Sequence, residues 1–495
     1  MIVYRSRSGI KLDKNAFNFM TSIDDDYAIL YYDILGSEAH SIMLYETGFL
    51  TLIDLKKILQ GLEEVKKNPN VLSTNGYEDV HEALEAFIIK KAGNSSGGKM
   101  HTARSRNDQV VLDIHMKVRE DINDICTAII DLIDSLLEKA NENKETIMPM
   151  YTHLQQAQIG TFCHFLLSYV DALFRDMDRL LIAYGRINRS PLGACAVGGT
   201  SINIDRSKTA ALLGFDELVR NSIDATHSRD TLIEFATALS ISIITLGRMA
   251  EDFIIWSTVE FGYLDISDEY SSTSSAMPQK KNPDVLELIR AKAATAIGNL
   301  ITMFSIVKSL PSGYSRDLQD LKPALWRTSI VALESIKMMN SVIKSVNVHE
   351  ERMKEATDNS YAISLDIAEQ LVVRKGIPFR SAHKVIGALV ERAVNKNNIA
   401  LKMLQKEDVE AALTKIESSL QPDEVSQIIR EMTPKKALEL RVSLGSPNPK
   451  QQQDMIDFSY NRLARYTGEL SKRKKGITAA LDNLSSIVEE YLNAT

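Results

Sequence analysis

Three stretches of this chain carry apolar residues at alternating steps of four and three, and few folds accept that pattern. Val118, Ile122, Ile125, Ile129, Leu132 and Leu136 form the first. Phe235, Leu239, Ser242, Leu246, Met249, Phe253 and Trp256 form the second, with one serine in the row. Leu286, Ile289, Ala293, Ala296, Leu300, Met303, Val307 and Leu310 form the third. Such spacing draws one continuous seam along a helix, and helices so marked pack side by side at a shallow angle. No proline interrupts any of the three. A helix of about 30 residues reaches roughly 45 Å, which is long for one compact subunit. A bundle shared between chains is therefore expected, with a bundle inside one chain as the alternative.

Two further helices are read in the same region. One runs from Thr152, after Pro149, to about Arg186, and the other follows Pro323 through Leu325, Ile330, Leu333 and Ile336. Aromatic residues make up only 6% of the chain and prolines are few, which suits helices better than sandwiches or barrels. The fold class expected is all-α. Shorter, more polar patterns flank the long helices, with Gly-rich breaks at Gly93 to Gly98 and Gly376 to Pro378. Three helical domains follow, at 1–110, 111–350 and 351–495, the last carrying an extra tail helix from Ile477 to Leu492.

The net charge of −7 implies no dominant basic face and argues against a nucleic-acid partner. Any anionic substrate must be held by local cations. Cys126, Cys163 and Cys195 are widely spaced, show no zinc pattern, and suit a reducing compartment. The N-terminal Met1 to Arg7 lacks the apolar core of a signal peptide. The most apolar run, Phe235 to Gly247, is broken by Thr237, Ser240, Ser242 and Thr245, so no membrane span is expected. A soluble cytoplasmic protein is the reading.

Polar chemistry concentrates in a few segments. Ser271 to Asp284 gathers hydroxyls, Lys280 and Lys281 ahead of a helix start. Asn282 reads as the N-cap, Pro283 as the first helical residue and Asp284 as a complement to the dipole. The plainer alternative is a Ser-rich surface linker. His101 to Gln109 includes Arg106 and Asn107, suited to carboxylates, Arg by a two-pronged contact; a charged capping loop would look similar. Thr152 reads as an N-cap that places His153 in a first helical turn, where a protonated imidazole would need a carboxylate partner. Tyr314 to Pro323 and Ser22 to Asp26 complete the set. His40, His115, His164, His227, His349 and His383 have no comparable context and are read as structural or surface residues.

The segment Ser274-Ser-Ala-Met-Pro-Gln-Lys-Lys-Asn-Pro283 resembles the mobile catalytic loop of the fumarase/aspartase superfamily. His101 to Gln109, Thr152 to Gln158 and Tyr314 to Pro323 resemble the argininosuccinate lyase branch of it, as do Asp79 to His81 and Gly376 to His383. The resemblance implies elimination of fumarate from argininosuccinate to leave arginine, with no metal or organic cofactor. It implies Ser274 as the base, activated near Lys280, which also stabilises the charge built up on the neighbouring carboxylate. It pairs His153 with Glu287 for delivery of a proton to the departing nitrogen. Arg106, Asn107 and Thr152 would hold the fumarate half, with Ser275 and Asn282 as further substrate-binding residues. Ser22, Asp26, Tyr314, Gln319 and Lys322 would hold the other half. A homotetramer is implied, each site built from three chains. Thr273, Ala103 and Cys195 stand where the family usually has glycine, and Leu321 where it has an acid; Thr273 is expected to stiffen the loop. Adenylosuccinate lyase is the nearest rival, because its loop also favours Ser-Ser-Ala-Met-Pro. A crystallin-like structural protein is the rival of another class.

Overall fold

The computed structural model describes residues 12–494; Met1 to Arg7, read above for a signal core, lie outside the described residues. The first two apolar seams are wholly buried along the helices Arg106–Glu142 and Asp230–Trp256. The serine in the second seam is accommodated because Ser242 Oγ donates to the Ala238 carbonyl at 3.0 Å, so no polar group is left open in the core. The third seam lies on Asp284–Val307, where Leu286, Ile289, Ala296 and Met303 are buried. Ala293, Leu300 and Val307 are half-buried, and Leu310 falls beyond the helix end. Together with Phe162–Ile187 and Leu321–Ser345, these helices pack along one another as the central bundle.

The Asp230–Trp256 helix is long and apolar enough to cross a membrane, with mean hydropathy 1.5 over its most apolar window, yet 67% of that window is buried inside the protein. Its apolarity is explained by its place among the other central helices.

Buried residues form three clusters. One fills the central bundle, one joins Leu30–Glu46, Leu52–Lys67 and Val80–Ala92, and one lies among the short helices between 362 and 438. The tail helix expected at Ile477 to Leu492 is the end of a single helix, Pro449–Asn493, of 45 residues. Asn448 caps it and Pro449 occupies its first turn. Its Ile456, Leu463, Tyr466 and Leu470 join the central cluster, and Leu484 and Val488 join that of the helices between 30 and 92.

Two local expectations are corrected. Thr152 does not cap a helix: strands Ile147–Thr152 and Gln155–Thr161 form an antiparallel hairpin, and the helix starts ten residues later at Phe162, capped by Thr161. His153 and Leu154 make the two-residue turn, both at positive φ (54° and 56°). That is the geometry of a tight hairpin, normally given to Asn-Gly because other side chains resist it. Nor does Asn282 cap a helix. It is extended and paired with Ser272, while Pro283 takes the cap position and the helix begins at Asp284.

Candidate active site

A cavity of about 440 Å³ opens where the N-terminal cluster meets the central bundle. Ser22, Asp26, Arg106, Asn107, Tyr314, Gln319 and Lys322 all line it, although they come from three separate parts of the chain. The Lys322 ammonium pairs with Asp26, and Ser22 Oγ donates to the same carboxylate at 2.6 Å. Gln319 Nε2 donates to the Met20 carbonyl at 3.0 Å, and Trp326 Nε1 to the Asp25 carbonyl at 3.2 Å. The start of the Leu321–Ser345 helix is thereby fastened to residues 20–26, and the wall they form is continuous.

The opposite wall is the start of the Arg106–Glu142 helix. Ser105 and Asp108 close a capping box there: Asp108 Oδ1 accepts from the Ser105 N–H at 2.9 Å. Asp108 Oδ2 accepts from the N–H groups of Gly193 and Cys195, at 2.9 and 2.8 Å. Arg106 therefore leaves the helix start in a fixed direction and pairs with Asp79, itself the N-cap of Val80–Ala92. Asn107 Nδ2 donates to the Ala196 carbonyl at 3.0 Å. Arg316 pairs with Glu78 at 2.7 Å. Carboxylate-binding groups thus converge on one side and a Ser–Asp–Lys cluster on the other.

Beneath the cavity floor, His81 Nδ1 meets Asp33 Oδ2 at 2.9 Å and Asp113 Oδ2 at 3.5 Å, all three residues being buried. Burial pushes the Asp33 carboxyl upward, but His81, Arg104 and Gln109 outweigh it and hold the group below the usual carboxylate range. Asp113 is driven the other way by burial and by the charge of Asp33. These three residues are the group in this site whose ligand atoms lie close enough together (within 4.8 Å) to hold a metal ion. The nearby Arg104 already supplies positive charge to both carboxylates.

The remaining expected site residues lie away from this cavity in the same chain. Thr152 and His153 are exposed at the hairpin tip. Ser274, Ser275, Lys280 and Asn282 belong to a second small hairpin, in which Ser272 pairs with Asn282 and Thr273 with Lys281. Ser274 Oγ accepts from the N–H groups of Met277 at 3.1 Å and Ala276 at 3.3 Å. Lys281 is committed to Asp265 and Asp268, at 2.9 and 2.8 Å, whereas Lys280 is exposed. Glu287 is exposed in the first turn of Asp284–Val307. His153 and Glu287 are each exposed on their own element.

The general lyase family matches residues 7–298, and the C-terminal region of argininosuccinate lyases matches residues 361–432. The argininosuccinate lyase of Nitrosopumilus maritimus is 47% identical over 491 residues, covering 99% of this chain and all of that protein. That of Methanocaldococcus jannaschii is 39% identical, over 98% of this chain and 99% of its own. The chain belongs to the argininosuccinate lyase family. Among solved structures, an EDDS lyase in complex with formate superposes with a TM-score of 0.86 at 30% identity, over 94% of this chain and 92% of that one. A class II fumarase from Schistosoma mansoni, at 16% identity and TM-score 0.69, covers 84% of this chain and 91% of its own, and shares the fold.

One residue of this family member escaped the sequence reading. Arg229 lines the cavity, yet it sits alone before the Asp230–Trp256 helix with no local pattern to mark it. The spacing of apolar residues locates helices; it says nothing of a single cation that tertiary packing turns inward.

Proposed function

We propose that this chain catalyses the reversible anti elimination of fumarate from argininosuccinate, releasing arginine. The observation that carries the reading is the shared cavity of Ser22, Asp26, Arg106, Asn107, Tyr314, Gln319 and Lys322 in a member of this family. Arg106 and Asn107 would take the fumarate half, and the Ser22–Asp26–Lys322 cluster with Tyr314 and Gln319 the amino-acid half.

The difficult step is removal of a proton beside a carboxylate, which adds charge to a group already anionic. Ser274 is the proposed base. A serine hydroxyl ionises only with help, and the two backbone N–H groups on its Oγ would stabilise the alkoxide. Lys280, exposed on the same hairpin, would meet the developing charge on the substrate, with Ser275 and Asn282 beside it. His153, with Glu287 as its partner, would protonate the departing nitrogen, and Thr152 would contact the fumarate half. The reading uses no metal or organic cofactor.

These groups stand apart from the cavity in one chain, so the proposal includes a homotetramer in which other copies bring them to it. Exposed apolar residues on the central helices support that assembly. Leu288, Ile301 and Phe304 on Asp284–Val307 and Ile330 on the next helix are each at least half exposed. The three helical units, 1–110, 111–350 and 351–495, and a cytoplasmic setting belong to the same reading; all three cysteines are free.

Ultraviolet detection of fumarate tests the proposal, with argininosuccinate, adenylosuccinate and EDDS offered separately to the purified protein. Fumarate from argininosuccinate, abolished in Ser274→Ala, is the expected result. Release from adenylosuccinate or EDDS alone would overturn the substrate assignment. Full activity from a monomer would overturn the shared site.

A further inference from the structure

The cations around the cavity are not equivalent. Lys322 rests on Asp26, Arg106 on Asp79 and Arg316 on Glu78. Arg229 has no such partner. It is 3% exposed, and the titratable groups that face it among the described residues are the Tyr314 phenol and the His115 imidazole, with no carboxylate. Its Nη1 donates to the carbonyls of Thr226 and Ser228, at 3.2 and 3.0 Å, and its Nε is buried without a hydrogen-bond partner. Burial pushes the Arg229 pKa down to about 10, and the His115 imidazole is pushed down to about 4 by its own burial, with the Arg229 charge adding to the effect. A buried guanidinium without an anion is a costly arrangement unless an anion arrives.

The backbone fixes where that anion would sit. The His227 Nδ1–H donates to the Gly313 carbonyl at 2.6 Å, clamping the turn before Tyr314 onto the helix Ser222–His227 that leads into Arg229. Tyr314 and Arg229 are thus held together, and Tyr314 also feels the charge of Asp26. A cation and a carboxylate that line one cavity with this phenol, and both act on it, match the carboxylate and ammonium of an α-amino acid. We propose that Arg229 is a further substrate-binding residue, taking the α-carboxylate of the amino-acid half by charge-assisted hydrogen bonds from its free nitrogens. The inference rests on the substrate reading above and adds to it the residue that recognises a free amino-acid end.

The test compares arginine with agmatine, which is arginine lacking the α-carboxylate, as inhibitors of fumarate release. Removing one charge-assisted contact is worth about 10- to 100-fold in binding. The unaltered protein should prefer arginine by that factor, and Arg229→Gln should lose most of the preference while its affinity for agmatine and for succinate is kept. Arg229→Lys, which retains the charge without the two-pronged geometry, should fall between; it decides the matter if Arg229→Gln fails to fold. An unchanged arginine-to-agmatine ratio in either folded variant overturns the proposal. So does loss of assembly with the ratio kept, which would mean another copy supplies the missing anion. If the unaltered protein releases no fumarate from argininosuccinate, the substrate reading fails. Calorimetric binding of the two ligands to it and to Arg229→Gln then still decides the role of Arg229.

Discussion

Lys322 and Asp26 form a buried ion pair, 5% and 0% exposed at their side chains, between helix segments almost three hundred positions apart in sequence. The pair ties the central bundle to the N-terminal segment at the cavity wall. Removing one partner leaves the other charge in a dry setting, which typically costs about 3–5 kcal/mol, whereas removing both is far milder. Lys322→Met should therefore lower stability by about 3 kcal/mol, and the further change Asp26→Asn should restore most of it. Urea unfolding of the two single variants and the double variant checks this. Simple addition of the two single costs would show that the pair is not coupled.

Acid should weaken the fold through neutral buried histidines. Burial, reinforced by neighbouring arginines, pushes His40 and His101 down to about 3 and His115 to about 4. Each takes up a proton less readily in the folded chain than in the unfolded one, where its pKa is about 6.5. Their contribution is complete above about pH 6.5 and is lost as pH falls through that value towards 4 and 3. His115→Gln should flatten the decline by an amount on the order of 3 kcal/mol at the acid end, read from unfolding midpoints between pH 7 and pH 4. An unchanged slope would mean that His115 titrates normally.

Ala103 and Cys195 are among the side chains that occupy backbone positions favouring glycine. Ala103 has φ 58° and Cys195 φ 54°, in the left-handed region where a Cβ crowds the chain. These are two of the three positions where the resemblance implies glycine. Ala103→Gly and Cys195→Gly should each stabilise by about 1 kcal/mol. Cys195→Gly keeps the N–H bond to Asp108. A rise in thermal midpoint for each is the expected reading, and a fall would show that the methyl or thiol packs more usefully than the strain costs.

Thr273 is a different case. It lies in the strand Ser272–Thr273, paired with Lys281, where a β-branched residue is at home. Thr273→Gly should loosen the hairpin by about 1 kcal/mol, speeding hydrogen exchange of the Ser274 and Lys280 amides about five-fold. Those amides bond to the carbonyls of Lys280 and Met277, at 3.3 and 3.0 Å. Unchanged exchange would mean that the residue before Ser274 does not govern loop stiffness.

The long helices were legible because Val118 to Leu136 and Phe235 to Trp256 are buried along their whole seams, so periodicity and packing agree. Agreement weakens at Ala293 and Leu300, whose helix is only partly covered within one chain. The strands around His153 were not legible. Gln155, Gln156 and Gln158 carry no alternation of apolar residues, and their pairing with Thr152, Tyr151 and Met150 is a tertiary fact. Asn282 misled for a related reason: a good capping residue in sequence was claimed instead by cross-strand pairing with Ser272. Of the expected site, the cavity half was readable as motifs, whereas Arg229 became visible only when its surroundings lacked a carboxylate.

The Pro449–Asn493 helix sets an order of events for the growing chain. The helices between 30 and 92 emerge early, yet the cover over their shared core includes Leu484 and Val488. That core must wait, with apolar surface uncovered, while nearly four hundred further residues are translated (residues 93 to 483). A nascent chain in that condition is an open invitation to aggregation or to chaperones, so the assembly line, rather than the finished enzyme, is where shortening this helix would be felt first.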